Sequence, residues 1–313
     1  MALDPRRPDV EYFEQPCKSA LNRVRGMPFD WSLNPYMGCE HRCAFCYVRA
    51  FEKRADRPSD SRYGRTVRVK TNVASVLRQE FRRRGWRREP VAIGAATDPY
   101  QPAEGSYRLT RACLEAFADF HNPGSLITRG PLIVRDVDVL THLARRAPFS
   151  VHVSIPTLDH DVWRRTEPGT APPAQRLRAL ERLARAGIKA SVAMAPILPG
   201  LSDRPEQLAA VVKGAREAGA AGVWAGLLYL REGTREHFLE TLAEHWPEQL
   251  PRYLRDYSGR AYLPGARLKS VQGQVRELVR QERQQDGGAQ RRRFLEPPSE
   301  PRQLDWLQNA VTA

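Results

Sequence analysis

Between about residue 30 and residue 230 the chain alternates short β-branched or apolar runs with longer stretches of helical period, which restricts it to parallel-sheet architectures. Candidate strands are 32–37, 91–96, 125–128, 150–155, 189–195 and 222–228. Val73, Val76, Leu77 and Phe81 recur at the spacing of one helical face, and so do Leu109, Ala112, Cys113, Ala116, Phe117 and Phe120. Further helical stretches run through 136–145, 174–186 and 205–218, and Gly187 and Gly219 stand where helices commonly stop. Six βα units fit an α/β fold of the partial (β/α)6 TIM-type barrel kind. A doubly wound open sheet is the alternative that periodicity leaves open, and in both the chemistry belongs at the C-terminal strand ends.

Domain boundaries follow from where that pattern begins and ends. Residues 1–30 form an N-terminal extension and 31–230 the barrel; a mostly helical, polar extension covers 231–284, and 285–313 reads as a mobile tail. Of the 313 residues 41% are hydrophobic and 27% charged, enough apolar material for a core. No apolar run approaches the roughly 18 residues of a membrane span, and the first residues lack the apolar centre of a secretory signal. The expected compartment is the cytoplasm, with no membrane contact.

In that reducing compartment the cysteines are informative. There are five, Cys17, Cys39, Cys43, Cys46 and Cys113, an odd number with three inside NPYMGCEHRCAFCYVRAF, just after the first candidate strand. A disulfide framework does not look like this. A C-x₃-C-x₂-C loop can present three thiolates to three irons of a cubane, leaving the fourth iron open for a substrate. Structural zinc asks for a fourth ligand, which His41, Cys17 or Cys113 would have to supply, and that reading stays open beside the cluster.

The C-x₃-C-x₂-C spacing with an aromatic before the last cysteine resembles the radical S-adenosylmethionine superfamily. The runs ATDPYQPAE, LITRGPLIVRDVDVL, VHVSIPTLD, RTEPGTAPPAQRLRALERLARAGI and APILPGLSD are similar to its spore photoproduct lyase-like group, several bacterial members of which have no assigned substrate. The resemblance implies a 4Fe-4S cluster held by Cys39, Cys43 and Cys46. It also implies S-adenosyl-L-methionine chelated at the open iron, and reductive cleavage to a 5′-deoxyadenosyl radical that abstracts hydrogen from substrate. A one-electron reductant such as flavodoxin or ferredoxin is implied as a partner.

By the same resemblance Phe45 lines the adenine and Tyr47 the active cavity, where it is the candidate catalytic side chain. Thr97 and Asp98 match the stretch that receives the methionine amino group, Arg129 stands where a cation meets the carboxylate, and Ser154 corresponds to a ribose contact. Met194, Ala195 and Pro196 end the fifth strand beside the adenine. Glu104 reads as a helix-start charge, and Glu167 with Arg176 as a pair bracing the following helix. Tyr36 is a candidate for the lumen, whereas Cys113 falls in a helical apolar stripe and reads as core. His121, His142, His152, His160, His237 and His245 form no metal-ligand pair.

Charge bears on the substrate. The net charge is +14, and the stretch that opens at Arg49 and closes at Arg88 holds fourteen basic and four acidic residues. It can grip phosphates, with Trp86 stacking on a base, or be simply a solvated face. Reversal of a DNA photolesion is one reading. Against it, aligning the lyase's Ser-Asp pair with Thr97 and Asp98 puts Ala95 or Ala96 where the lyase carries a hydrogen-donating cysteine. A non-catalytic zinc or iron-sulfur protein that binds nucleic acid is the reading of another class.

Overall fold

The computed structural model describes residues 2–3, 10–25, 27 and 29–285. The expected tail over 285–313 lies outside the described residues, apart from Gln285 at the end of the last helix. The chain begins with strands β1 (Ala2–Leu3), β2 (Glu11–Gln15), β3 (Leu21–Arg23), β4 (Trp31–Leu33) and β5 (Tyr36–Met37). After the cysteine loop come α1 (Arg49–Arg54), β6 (Thr66–Lys70), α2 (Val73–Phe81) and β7 (Val91–Ile93). Strict alternation follows: α3 (Ala103–Tyr107) and α4 (Leu109–Asp119), β8 (Gly124–Thr128), a 3₁₀ turn (Pro131–Asp136) with α5 (Val137–Ala144), and β9 (Phe149–Ser154). It continues through α6 (His160–Thr166), α7 (Pro173–Arg185), β10 (Ala190–Ile197), α8 (Pro205–Glu217) and β11 (Val223–Leu227). Helices α9 (Arg235–His245), α10 (Leu250–Asp256) and α11 (Gly265–Gln285) close the described chain.

The main sheet has the order β11-β10-β9-β8-β7-β4-β3. From β4 to β11 every pairing is parallel, which makes six parallel strands joined by helical crossovers, the partial (β/α)6 barrel; β3 adds an antiparallel edge on β4. Apolar stripes explain the helical layer. Val73, Leu77 and Phe81 of α2, Cys113, Leu114 and Phe117 of α4, and Leu180 and Leu183 of α7 are all buried in one core with the strands.

A second sheet, β1-β2-β6-β5, was not foreshadowed by the 3.6-residue pattern. It corrects the candidate strand 32–37, which divides between two sheets: β4 pairs with β7 in the barrel, and β5 pairs with β6. The break falls at Asn34 and Pro35. Proline has no N–H for a ladder, and the Asn34 side chain accepts from the Ala96 amide at 2.8 Å instead of continuing the strand. Strand β6 lies inside the basic stretch, where its alternation survives in the burial of Val67 and Val69.

That stretch is therefore not one solvated face, since Arg49 and Lys70 are buried. Trp86 is also accounted for within the fold. Its Nε1 donates to Asn122 Oδ1 at 2.7 Å and its ring stacks on Phe81, so it is not a free platform for a base. No helix among the described residues is long and apolar enough to cross a membrane.

Candidate functional site

Strand β5 delivers the chain directly into the cysteine loop. Cys39 and Cys43 are buried, Cys46 is half-buried, and all five cysteines of the chain are free thiols. The loop is held from three sides. Ala44 N–H donates to Thr166 O at 2.8 Å, Gly169 N–H to His41 O at 3.1 Å, and the Thr234 hydroxyl to Cys46 O at 2.9 Å. Two glycines permit this close approach: a Cβ on Gly169 would stand 2.2 Å from Glu40 O, and one on Gly64, whose φ is +78°, would stand 2.2 Å from Cys39 O.

The three cysteines, with Tyr47, Tyr63, Thr97, Asp98 and Arg129, surround a chamber of about 80 Å³. It adjoins a larger cavity of about 210 Å³ in the barrel lumen, and the two share Cys43, Cys46, Tyr47, Gly94, Ala95, Ile127 and Arg129 as lining residues. Phe29, Phe45, Pro196, Leu227 and Leu228 make the larger cavity mainly apolar. Such walls keep water from a reactive species.

Charge is concentrated at the junction. Arg129 Nε lies 2.7 Å from Glu167 Oε1, and Arg176 Nη2 lies 2.9 Å from Glu167 Oε2, an ion triad in which Glu167 and Arg176 are almost completely buried. Burial alone would raise the Glu167 carboxyl, but Arg176 and Arg129 outweigh it and hold it below its usual range. Burial would likewise lower Arg129; Cys43 and Glu167 reverse this and keep the guanidinium charged. The Arg129 guanidinium lies over the Phe45 ring, 5.6 Å from its centroid.

Asp98 organises the opposite wall. Its oxygens accept from Tyr100 N–H at 2.9 Å, the Thr128 hydroxyl at 2.6 Å and Arg129 N–H at 2.6 Å, and His41 Nδ1 stands 3.3 Å away. Desolvation pushes Asp98 up, yet His41 and these hydrogen bonds bring it down to about 2. The Thr97 hydroxyl donates to Gly38 O at 2.8 Å and accepts from Gln101 at 2.9 Å.

The fold thus brings Phe45, Tyr47, Thr97, Asp98 and Arg129 together around the cysteines. Ser154 is different. It is fully buried and its hydroxyl donates to Ala195 O at 3.3 Å, so it stands behind the cavity wall instead of lining it. Glu104 does stand in the first turn of α3, but it is more than a helix-start charge: completely buried, it accepts from the Tyr36 hydroxyl, Thr110 N–H at 2.8 Å and Arg135 at 2.7 Å. Tyr36 is thereby turned away from the lumen. Glu167 and Arg176 do more than brace a helix, because through Glu167 they fix Arg129 at the junction.

Among the lumen residues that escaped the sequence reasoning are Ser125, His152, Trp224 and Tyr229. Trp224 Nε1 donates to His152 Nδ1 at 3.4 Å, and His152 Nε2 lies 3.4 Å from Ser150 Oγ. The available signal was strand alternation, since Ser150 and His152 precede Ser154 at steps of two on β9. Burial, with Lys189 adding to it, lowers the His152 imidazole to about 4.

A family model described as the Radical SAM superfamily matches residues 33–212. The chain belongs to that superfamily. This radical SAM protein is 38% identical over 278 residues to an uncharacterized protein of Mycobacterium tuberculosis, covering 88% of this chain and 82% of the relative. A radical SAM Nα-GlyT isomerase of Pseudomonas phage M6 is 29% identical over 173 residues, 53% of this chain and 33% of that protein. Among solved structures, spore photoproduct lyase with bound AdoMet and dinucleoside spore photoproduct is similar with a TM-score of 0.66 at 13% identity, covering 86% of this chain and 79% of that one. At that identity the likeness shows the fold.

Radical SAM membership implies a 4Fe-4S cluster and S-adenosylmethionine, and the donor set suits them. Burial pushes the Cys39 thiol up, with Asp98, Cys43 and Cys46 adding to the effect, and pushes Cys43 up to about 12. Thiols so buried as Cys39 and Cys43 suit a cationic guest that takes them as thiolates, with Cys46 beside them on the same loop. Among the described residues no three His, Cys, Asp or Glu side chains close on a single ion. Cubane ligands are not required to, because each holds a different iron.

Proposed function

We propose that this chain is a radical S-adenosylmethionine enzyme that abstracts hydrogen from a substrate admitted to the barrel lumen. The observation that carries the reading is the thiol-lined chamber opening, through Arg129 and Tyr47, onto a mainly apolar cavity. Bound there, a 4Fe-4S cluster and S-adenosylmethionine would supply one-electron cleavage of the C5′–S bond, giving methionine and a 5′-deoxyadenosyl radical. Cys39, Cys43 and Cys46 are the cluster ligands in this reading. Arg129, held charged by Glu167, meets the methionine carboxylate, and Phe45 flanks the nucleoside. Asp98 acts through its hold on Arg129 N–H and His41, and Thr97 through its hold on Gly38, so this pair shapes the amino-group subsite. Ser154 supports Ala195 in the wall. Tyr47, shared by both chambers, is the candidate catalytic side chain beside the substrate.

The proposed substrate is nucleic acid or a nucleotide-bearing molecule. The basic excess from Arg49 to Arg88 supports this, as does a dinucleoside in the similar spore photoproduct lyase structure. Lyase-type photolesion repair is the narrower reading. It lacks its expected hydrogen donor here, since the cavity wall carries the methyl group of Ala95 and Cys113 is buried in α4, away from the cavity lining. A flavodoxin or ferredoxin is the proposed electron source and the cytoplasm the proposed compartment.

The test is anaerobic reconstitution followed by dithionite and S-adenosylmethionine. Brown protein with about four irons per chain that releases 5′-deoxyadenosine supports the proposal. An intact cluster that yields none overturns it, and a colourless one-zinc protein supports the non-catalytic reading. Deuterium appearing in 5′-deoxyadenosine from labelled oligonucleotides identifies the substrate class.

A further inference from the structure

The segment between α1 and β6 does something the cysteine spacing does not reveal. Residues 59–64 fold back over the cysteine loop on the side of α1 and carry Tyr63 to Cys46, with the phenol oxygen 3.4 Å from Sγ. Tyr63 is 2% exposed and packs with Cys39 and Val48. Its position is over-determined. The Arg49 guanidinium lies 4.5 Å from the centre of the Tyr63 ring and donates to Ser59 O and Asp60 O at 2.7 Å each, to Cys43 O at 3.2 Å and to Arg42 O at 3.3 Å. One buried arginine therefore ties the strap to the same loop that carries the thiols. Gly64, next in the chain, lets the strap lie directly on Cys39.

Resting on the proposed function above, we propose that Tyr63 is a positioning residue that donates a hydrogen bond to the Cys46 thiolate and thereby raises the reduction potential of the 4Fe-4S cluster. A ligating thiolate has no proton to give, so the hydroxyl must be the donor. The step affected is the one-electron reduction of the cluster by an external donor such as dithionite. The added negative charge is shared by the ligand sulfurs, and a hydrogen bond to a sulfur strengthens as that charge grows. The nearby Arg49 cation polarises the phenol in the same direction. Cys39 and Cys43 have no tyrosine hydroxyl on their sulfurs among the described residues, so the three anchors become electronically unequal.

The experiment is an electron-paramagnetic-resonance redox titration of the reconstituted full chain, with iron counted in each sample. Tyr63→Phe keeps the ring under Arg49 and removes only the hydroxyl. Its midpoint shifts to more negative potential at about four irons per chain. Replacing Tyr63 by 3-fluorotyrosine, a more acidic donor of nearly the same size, shifts the midpoint the other way. Opposite shifts support the proposal. Unchanged midpoints in both proteins overturn it, and so does iron loss in Tyr63→Phe with an unmoved midpoint in the fluorotyrosine protein, which reduces Tyr63 to packing. A wild-type chain that takes up no four-iron cluster is the failure of the parent reading, and the two failures are told apart by the iron count.

Discussion

Glu167→Gln tests whether the ion triad at the junction is as consequential as its geometry suggests. The carboxylate is 1% exposed and sits between Arg129 Nε at 2.7 Å and Arg176 Nη2 at 2.9 Å. The amide has the same shape, but it turns an NH₂ toward one guanidinium and leaves two positive charges without their counter-ion. Two unit charges about 4 Å apart attract by about 4 kcal/mol at an effective permittivity near 20. Part of each attraction only offsets desolvation, so breaking a buried pair typically costs about 3–5 kcal/mol. Arg176 keeps bonds to Ala171 O at 2.9 Å and Ser154 O at 3.0 Å, whereas the Arg129 side chain keeps Ala195 O at 3.3 Å. The loss therefore falls mainly on Arg129 and sits toward 3 kcal/mol, a drop in melting temperature on the order of 10 °C. Glu167 is held below its usual range, so its stabilisation is complete above the unfolded-state pKa and is lost as pH falls through the folded one; the variant is flatter with pH across that acid window. Chemical and thermal unfolding of wild type, Glu167→Gln, Arg176→Met and the double variant measure it. A single variant within about 1 kcal/mol of wild type, or single effects that simply add in the double, refutes the reasoning.

Two further outcomes follow from the buried groups. His152 is lowered to about 4 against an ordinary 6.5, so the unfolded chain takes up its proton first and stability falls between pH 6.5 and 4 by up to about 3 kcal/mol. His152→Asn removes that part of the slope, and parallel stability-versus-pH curves for the two proteins would contradict the assignment. Gly64→Ala drives a methyl group into Cys39 O at a φ of +78°, so cluster iron per chain drops at reconstitution, while Cys113→Ala, buried in α4, keeps it; equal iron in both would sink the argument for the strap.

Much of the candidate site is written in short-range signals. Cys39, Cys43 and Cys46 lie within eight residues, and their spacing alone presents three sulfurs on one turn. Thr97, Asp98 and Arg129 sit just past β7 and β8, where a parallel sheet gathers its chemistry, so strand ends found by periodicity also locate them. The lumen residues were harder to find. His152 and Trp224 are 72 positions apart; the alternation of Ser150, His152 and Ser154 along β9 is the one local sign of the first, and nothing local marks the second as polar lining in an apolar cavity.

The βα period, the cysteine turn and the positions of the strand ends belong to the amino-acid order itself, because each arises from contacts a few residues long. The partnering of charges does not. Glu104 with Tyr36, Glu167 with Arg129 and Glu80 with the Leu21 amide join residues 68, 38 and 59 positions apart, and each carboxylate would be an ordinary surface charge without its partner. The same holds for the division of 32–37 between two sheets and for the burial of Arg49 under the strap. Desolvation and ion pairing depend on what closes over a group in space, and only the packed chain supplies that neighbour.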